Sequence, residues 1–429
     1  MYHDPALAAQ VRADPRPRSA VSTGVGLAGL AGLLTWIAVA QYFTLDGPYA
    51  ALCNVAACGV PMVIWSLVVD KVHRNPSTGI DWSNPRPFAE TIDVSLTKIA
   101  GLWLTWGGIA AAYSLGRFYW QGNFAFAMWC FQTAAPVLVA ASIPWVIWTD
   151  RYLVEQRDGA WALGAWALHL GTKIPDEAIP NHLRAWGVKA FFLAFMLAIV
   201  PPGYGDFIRG DTSQVWRDPV KLANWLITFM FVIDVAFATV GYTFTFRVLD
   251  SHIRSATPYA RGWMAALICY PPFILMADGG PLDYHHGTSD WTFWMAGHPV
   301  LLAIMGAVLV ALTAIYAWAT MAFGLRFSNL THRGILTHGP YALTRHPAYL
   351  SKNLFWWLST IPILATTGSW SDAIRNTALM AVVSGVYYWR AKTEELHLGE
   401  DPAYQRYSDW MLGNAPIPRL LAWVTGKPN

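Results

Sequence analysis

The chain has 429 residues, 55% of them apolar and only 13% charged, about half the share usual for a soluble domain, with 24 tryptophans and a mean hydropathy of +0.33. These figures exclude an ordinary cytosolic enzyme, a disordered chain and a nucleic-acid binder with a basic face, and a net charge of +3 points to no polyanionic partner. They imply an all-α, polytopic helical membrane protein.

Residues 1–20 read as a short polar tail carrying Asp4, Arg12, Asp14, Arg16 and Arg18. The apolar run behind it is long enough to span, so a retained first helix is expected rather than a signal peptide. Ten apolar runs follow, at about 21–42, 49–69, 96–116, 123–148, 186–201, 221–246, 260–276, 299–324, 350–367 and 372–389. A span takes ~20 apolar residues. The fifth, seventh and ninth runs are short and end at or contain Pro201-Pro202, Pro271-Pro272 and Pro362, so tilt, kinks or partial crossing are expected there. With the N-terminus inside, 22 of the 29 Lys and Arg residues fall on inside segments, four on outside loops and three at helix ends. Ten transmembrane helices with both termini cytoplasmic are therefore self-consistent. Residues 154–170 mix tryptophans with charges and read as an interfacial helix or part of a cytoplasmic loop. No internal repeat and no soluble domain is evident.

Several local patterns have a plain reading beside a functional one. Cys53, Cys58, Cys130 and Cys269 lie in apolar stretches without metal spacing and read as small core residues. Gly24, Gly26 and Gly29 match GxGxxG, but inside the first span they read as helix-packing positions, not a phosphate loop. Asp234 lies mid-span, either as a functional acid or as one bonded to Tyr, Thr or Ser within the bundle. The loop 278–298 holds Asp283, His285, His286, Asp290 and His298 without Lys or Arg; a solvated loop is the better reading, and no metal is expected.

The informative block is 324–407. Pro347 suits the first turn of a helix, which forces His346 to be extended and places Arg345 and His346 at the N-terminus of the ninth span. Free N–H groups and the helix dipole favour an anion there, and Arg345 adds a bidentate fork. Tyr349 and Asn353 share a face, as do Arg390 and Glu394 at the end of the tenth span. Glu394 and Glu395 can accept from amino or ribose groups, and Tyr341, Tyr349, Tyr404 and Tyr407 offer faces to a cation. This set suits S-adenosylmethionine, a zwitterion with a ribose and a sulfonium; the plain reading is a basic, aromatic membrane boundary.

The block Gly339-x-Tyr341-x-x-x-Arg345-His346-Pro347-x-Tyr349, a helical hairpin, and the tail Arg390…Glu394-Glu395-x-x-Leu398…Tyr404-x-x-Tyr407 resemble the isoprenylcysteine carboxyl methyltransferase family and its bacterial relatives. The resemblance covers about residues 300–415 and implies an integral-membrane, S-adenosylmethionine-dependent methyltransferase. On it, the cofactor enters from the cytoplasm and a lipophilic acceptor (carboxylate, hydroxyl or amine) enters from the bilayer. It implies a cofactor pocket lined by His338, Tyr341, Arg345, His346, Pro347 and Tyr349, with Glu395 holding the cofactor and Tyr404 and Tyr407 closing the pocket. Arg390 orients the acceptor, and a hydroxyl or amine acceptor would find a base in His346, His338 or Glu394. Residues 299–415 thus read as a methyltransferase-like core, 416–429 as a tail, and 21–298 as a transmembrane region with a share in substrate binding as one role. Two positions depart from the family pattern. Arg333 stands where a His is common, and Ser351 where Gly is usual, followed by Lys352, which could contact an anionic substrate. Membrane sterol reductases, which use a nicotinamide cofactor, have a similar C-terminal region; Glu394-Glu395 and the intact Arg-His-Pro favour the methyltransferase. A transporter or receptor built on the N-terminal helices is the third reading, motivated by Asp234 and the prolines.

Overall fold

The computed structural model describes residues 16–416 and Arg419; residues 1–15 of the first tail and nearly all of the 416–429 tail lie outside the described residues. Thirteen helices are described: α1 (Thr23–Phe43), α2 (Pro48–Val68), α3 (Phe88–Leu115), α4 (Phe124–Asp150), α5 (Gly159–Ala167), α6 (Ala178–Arg209), α7 (Pro219–Thr243), α8 (Ala260–Leu267), α9 (Trp291–Trp294), α10 (Pro299–Ala322), α11 (Pro347–Thr360), α12 (Trp370–Leu398) and α13 (Pro402–Asn414). Strands β1 (Ser255–Ala256) and β2 (Thr331–His332) form one antiparallel pair, Ser255 opposite His332.

Six of these helices, α1, α2, α4, α6, α7 and α10, are long and apolar enough to cross a membrane. The build is that of a multi-pass membrane protein, and large apolar side chains such as Val137, Val300 and Ile304 stand on the outside, where lipid would cover them. Helices α3 and α12 have the length, with 28 and 29 residues, but carry more polar side chains. The seventh and ninth apolar runs differ from expectation. Helix α8 has eight residues, about 12 Å, and α11 has 14, about 21 Å, both short of a hydrocarbon core. Helix α11 stops because Ile361 turns left-handed (φ 47°) and Pro362 has no N–H to continue the ladder. The fifth run departs in the other direction: α6 continues through Pro201-Pro202 to Arg209.

The segment after β1 still runs the length of α12. Ser255 Oγ lies 2.9 Å from His397 Nε2, and Asn376 Nδ2 donates to the His286 carbonyl at 2.7 Å. Asn376 and His397 are about 32 Å apart along the helix, so a mostly non-helical chain covers a membrane's thickness beside α12.

Close helix approach explains the early glycines. A Cβ on Gly26 would meet the Met321 carbonyl oxygen at 2.9 Å, and one on Gly29 would meet the Met62 side chain at 2.7 Å. The main core lies among α1, α2, α7 and α10, with Leu33, Met62, Phe237 and Val240 buried. Residues 154–170 contain α5, capped by Asp158 and buried against α3 through Gly101 and Gly164. It is a packed element of the bundle.

Candidate active site

The turn Gly339–Ala342 leads to Arg345, and His346 is the N-cap of α11 with Pro347 at its first position, as the spacing predicts. Helix α12 lies alongside and brings Arg390, Glu394 and Glu395 to the same end. Glu395 takes the role of organiser. Its Oε1 is 3.0 Å from His346 Nε2 and 3.4 Å from Arg345 Nη2, and Lys392 Nζ donates to its Oε2 at 2.7 Å. Burial pushes its carboxyl up, but the His346 and Lys392 hydrogen bonds and the Arg345 charge outweigh burial and hold it at about 2. Arg345 also donates to Ser408 Oγ at 3.0 Å, which ties α13 to the loop before α11. The Tyr407 hydroxyl donates to the Tyr341 carbonyl at 2.6 Å and completes that tie.

Glu394 has a different environment. Its carboxylate accepts from the Tyr349 hydroxyl, and the Tyr349 ring stacks on His346 with centroids 5.8 Å apart. One turn earlier, Arg390 is 3% exposed and sits in a cage of tyrosines. Its Cζ lies 5.1 Å from the Tyr349 centroid, 5.2 Å from Tyr387 and 5.6 Å from Tyr270. Among the described residues a single side-chain hydrogen bond anchors it: Nη2 donates to Asn329 Oδ1 at 3.1 Å, while Nε is buried without a partner. Among the described residues no carboxylate lies within ion-pair distance of Arg390. Asn329 is itself fixed, since its N–H and Nδ2 both donate to the Tyr242 hydroxyl, at 2.9 and 2.8 Å. That contact directs Oδ1 to Arg390.

These side chains enclose a cavity of about 170 Å³. Arg345, His346, Glu394 and Tyr404 line one end, Arg390 stands midway, and Tyr316, Lys352 and Tyr387 line the other. Along α12 the walls extend from Tyr387 to Leu398, about 16 Å. The first wall residue in the chain is Thr257, so α1 to α7 contribute none.

Most residues singled out in the sequence come together here, with three placed differently. Tyr341, Arg345, His346, Tyr349, Arg390, Glu394, Tyr404 and Tyr407 line the cavity; His338, Pro347 and Glu395 do not. His338 points to the N-terminal segment, with Nδ1 2.7 Å from Ser19 Oγ, and burial and nearby Arg16 lower its pKa. Pro347 is buried as the start of α11. Sequence reasoning missed Asn329, Tyr242, Tyr270, Tyr316 and Tyr387. Tyr387 lies three residues before Arg390 on a helix, a spacing that could have exposed it. Tyr270 is 120 residues away in an irregular segment, and no sequence signal pairs the two.

Comparison with known proteins bears on the same region. Residues 286–410 match a family described as "Protein of unknown function (DUF1295)". A 161-residue stretch is 24% identical to Protein-S-isoprenylcysteine O-methyltransferase A of Arabidopsis thaliana, covering 37% of this chain and 74% of that protein. The C-terminal part of the chain resembles the isoprenylcysteine methyltransferases. No solved structure matches. The family match contains the cavity walls from Tyr316 on, whereas the wall residues Thr257, Gly262 and Tyr270 precede it.

Arg333, one of the two departures from the family pattern, is a buried staple. It donates to the carbonyls of Ser251, Gly241, Phe327, Phe244 and Leu325. Beside it Arg326 pairs with Asp250 at 2.8 Å and donates to the Arg333 carbonyl at 2.7 Å. Asp234 accepts from Thr320 Oγ1 at 2.5 Å and lies beside Tyr316, so the plain reading describes its bonding. In the 278–298 loop, Asp278, Asp283 and His285 bring ligand atoms within 4.8 Å of one another. Asp283 there already accepts from the Gly279 and His285 N–H groups, which closes the turn.

Proposed function

We propose that this protein is an integral-membrane, S-adenosylmethionine-dependent methyltransferase whose acceptor is a lipophilic carboxylate. The observation that carries the reading is Arg390: a buried guanidinium in a tyrosine cage, without a carboxylate partner, between a charged cavity end and an aromatic one. A buried, unpaired cation is costly unless a ligand's anion meets it.

The charged end has donors and acceptors that fit the cofactor. Arg345 would take its carboxylate, Glu394 its ammonium or ribose hydroxyls, and Tyr349 and Tyr404 would face its sulfonium. Glu395, bound by Arg345, Lys392 and His346, keeps Arg345 and His346 in place. When bound, S-adenosylmethionine supplies an electrophilic methyl group and needs no metal. Arg390 would orient the acceptor oxygen, and the tyrosine walls exclude water. A carboxylate acceptor needs no base. This suits the site, because His346 Nε2 is bound to Glu395, and Glu394 Oε1 accepts from Tyr349, which leaves its other oxygen for the cofactor. The distribution of basic residues supports a ten-pass arrangement with the charged end and both termini on the cytoplasmic side, the segment along α12 making the seventh crossing.

Titration calorimetry with S-adenosylmethionine on purified protein tests the cofactor. Binding is expected, weakened about tenfold or more by Arg345→Ala and by Glu394→Gln. Absence of binding by folded protein, or unchanged affinity in both variants, would overturn the reading, as would protection by NADPH alone.

A further inference from the structure

The far end of the cavity holds a second cation. Lys352, on α11, lines the wall with its Nζ 5.1 Å from the Trp356 centroid, 5.4 Å from Tyr316 and 5.6 Å from Tyr387. Among the described residues its ammonium has no hydrogen bond and no carboxylate oxygen within 4.0 Å. Asp234 attracts it from beyond ion-pair distance, but that carboxylate is held by Thr320 and stands beside Tyr316. Lys352 and Arg390 face the same Tyr387 ring, from 5.6 and 5.2 Å, so they are no more than about 11 Å apart. Two cations at that spacing repel each other in a buried site, and aromatic faces offset only part of the cost of leaving both without an anion in contact.

A single carboxylate on Arg390 answers one of the two charges. We propose that the acceptor is an amphiphile with two anionic groups, one held by Arg390 and the second by Lys352, its apolar chain lying against the tyrosine and tryptophan walls. Lys352 is thereby a specificity-determining residue of this chain. The inference deepens the proposed function and rests on its placing of the acceptor at the Arg390 end of the cavity.

Two probes that differ only by one carboxylate separate the cases: dodecanoate, with one, and 2-nonylbutanedioate, which is dodecanoate carrying a second. Their affinities are measured by titration calorimetry on full-length protein in nonionic detergent, with S-adenosylmethionine titrated in parallel. The wild type is expected to bind the diacid about tenfold more tightly than the monoacid. Lys352→Met is expected to bind both acids equally and dodecanoate as the wild type does, while Lys352→Arg keeps the preference and controls for folding. Equal affinity of the wild type for the two acids, failure to bind either, or a preference retained in Lys352→Met overturns the proposal. Loss of cofactor binding with an intact diacid preference would overturn the methyltransferase reading and leave the two-cation site standing.

Discussion

Glu395 shows how the same residue type at adjacent positions acquires two tasks. Glu394 faces the cavity, and Glu395 faces His346, Arg345 and Lys392. In the folded protein Glu395 keeps its charge down to about pH 2, against 4.5 for an ordinary glutamate. Its pairing therefore stabilises the fold fully above about pH 4.5 and is lost as the pH falls toward 2. In Glu395→Gln that dependence is expected to flatten by on the order of 1–3 kcal/mol, read as the slope of thermal unfolding against pH. An unchanged slope would remove Glu395 as organiser. The Arg-His-Pro unit and the Arg-Glu-Glu tail were legible because they follow local rules: proline opens a helix, and residues four apart share a face. The choice between Glu394 and Glu395 was not legible, because it depends on which way α12 is rotated against α11. The Asn329 contact to Arg390 was out of reach for the same reason, since it joins a loop to a helix 61 residues on.

At the scale of elements, hydropathy located the long helices well, because a span must satisfy its backbone within one apolar segment. It could not tell the helical from the irregular part of 260–276, since apolar composition is common to a span and to chain buried beside one. Nor could it foresee that α6 runs on through two prolines, because lost backbone bonds in a packed bundle can be met by neighbours. Glycine placement carries information that hydropathy lacks. A Cβ on Gly101 would lie 1.9 Å from the Ala160 carbonyl oxygen, and one on Gly164 would lie 1.9 Å from that of Thr97, so α3 and α5 touch backbone to backbone. Gly107, two turns along α3, has nothing within 4 Å. Gly101→Ala is expected to lower stability by about 1–3 kcal/mol, because α5 must move away from α3. Gly107→Ala is expected to be neutral or stabilising by up to ~1 kcal/mol, through the chain entropy of the unfolded state. Thermal unfolding of both variants in one detergent compares them directly, and equal losses would show that α3–α5 contact contributes nothing special.

In the molecule as a whole, the six candidate-span and long helices before residue 257 build most of the core and none of the cavity wall. One of their links to the cavity runs through a single hydroxyl. Tyr242 near the end of α7 is fully buried, stacks on Phe192 of α6 at 5.4 Å and accepts both bonds that orient Asn329 toward Arg390. Removing that hydroxyl leaves the ring packing intact, so Tyr242→Phe tests the link without hollowing the core. Asn329 is then free to turn its amide, and Arg390 loses the acceptor that fixes its guanidinium. Dodecanoate affinity is expected to fall about tenfold, with cofactor affinity unchanged and only a small drop in the unfolding temperature, since one or two buried hydrogen bonds contribute about 1 kcal/mol each. A structural role alone would lower the unfolding temperature and leave dodecanoate affinity where it was. Loss of cofactor affinity to the same degree would mean that Tyr242 holds both ends of the cavity, so that the N-terminal helices support the site as a unit. The expected split instead makes α7 the positioning element for the acceptor end, which gives the N-terminal helices a mechanical part in the proposed reaction, whose cavity residues all lie from Thr257 on.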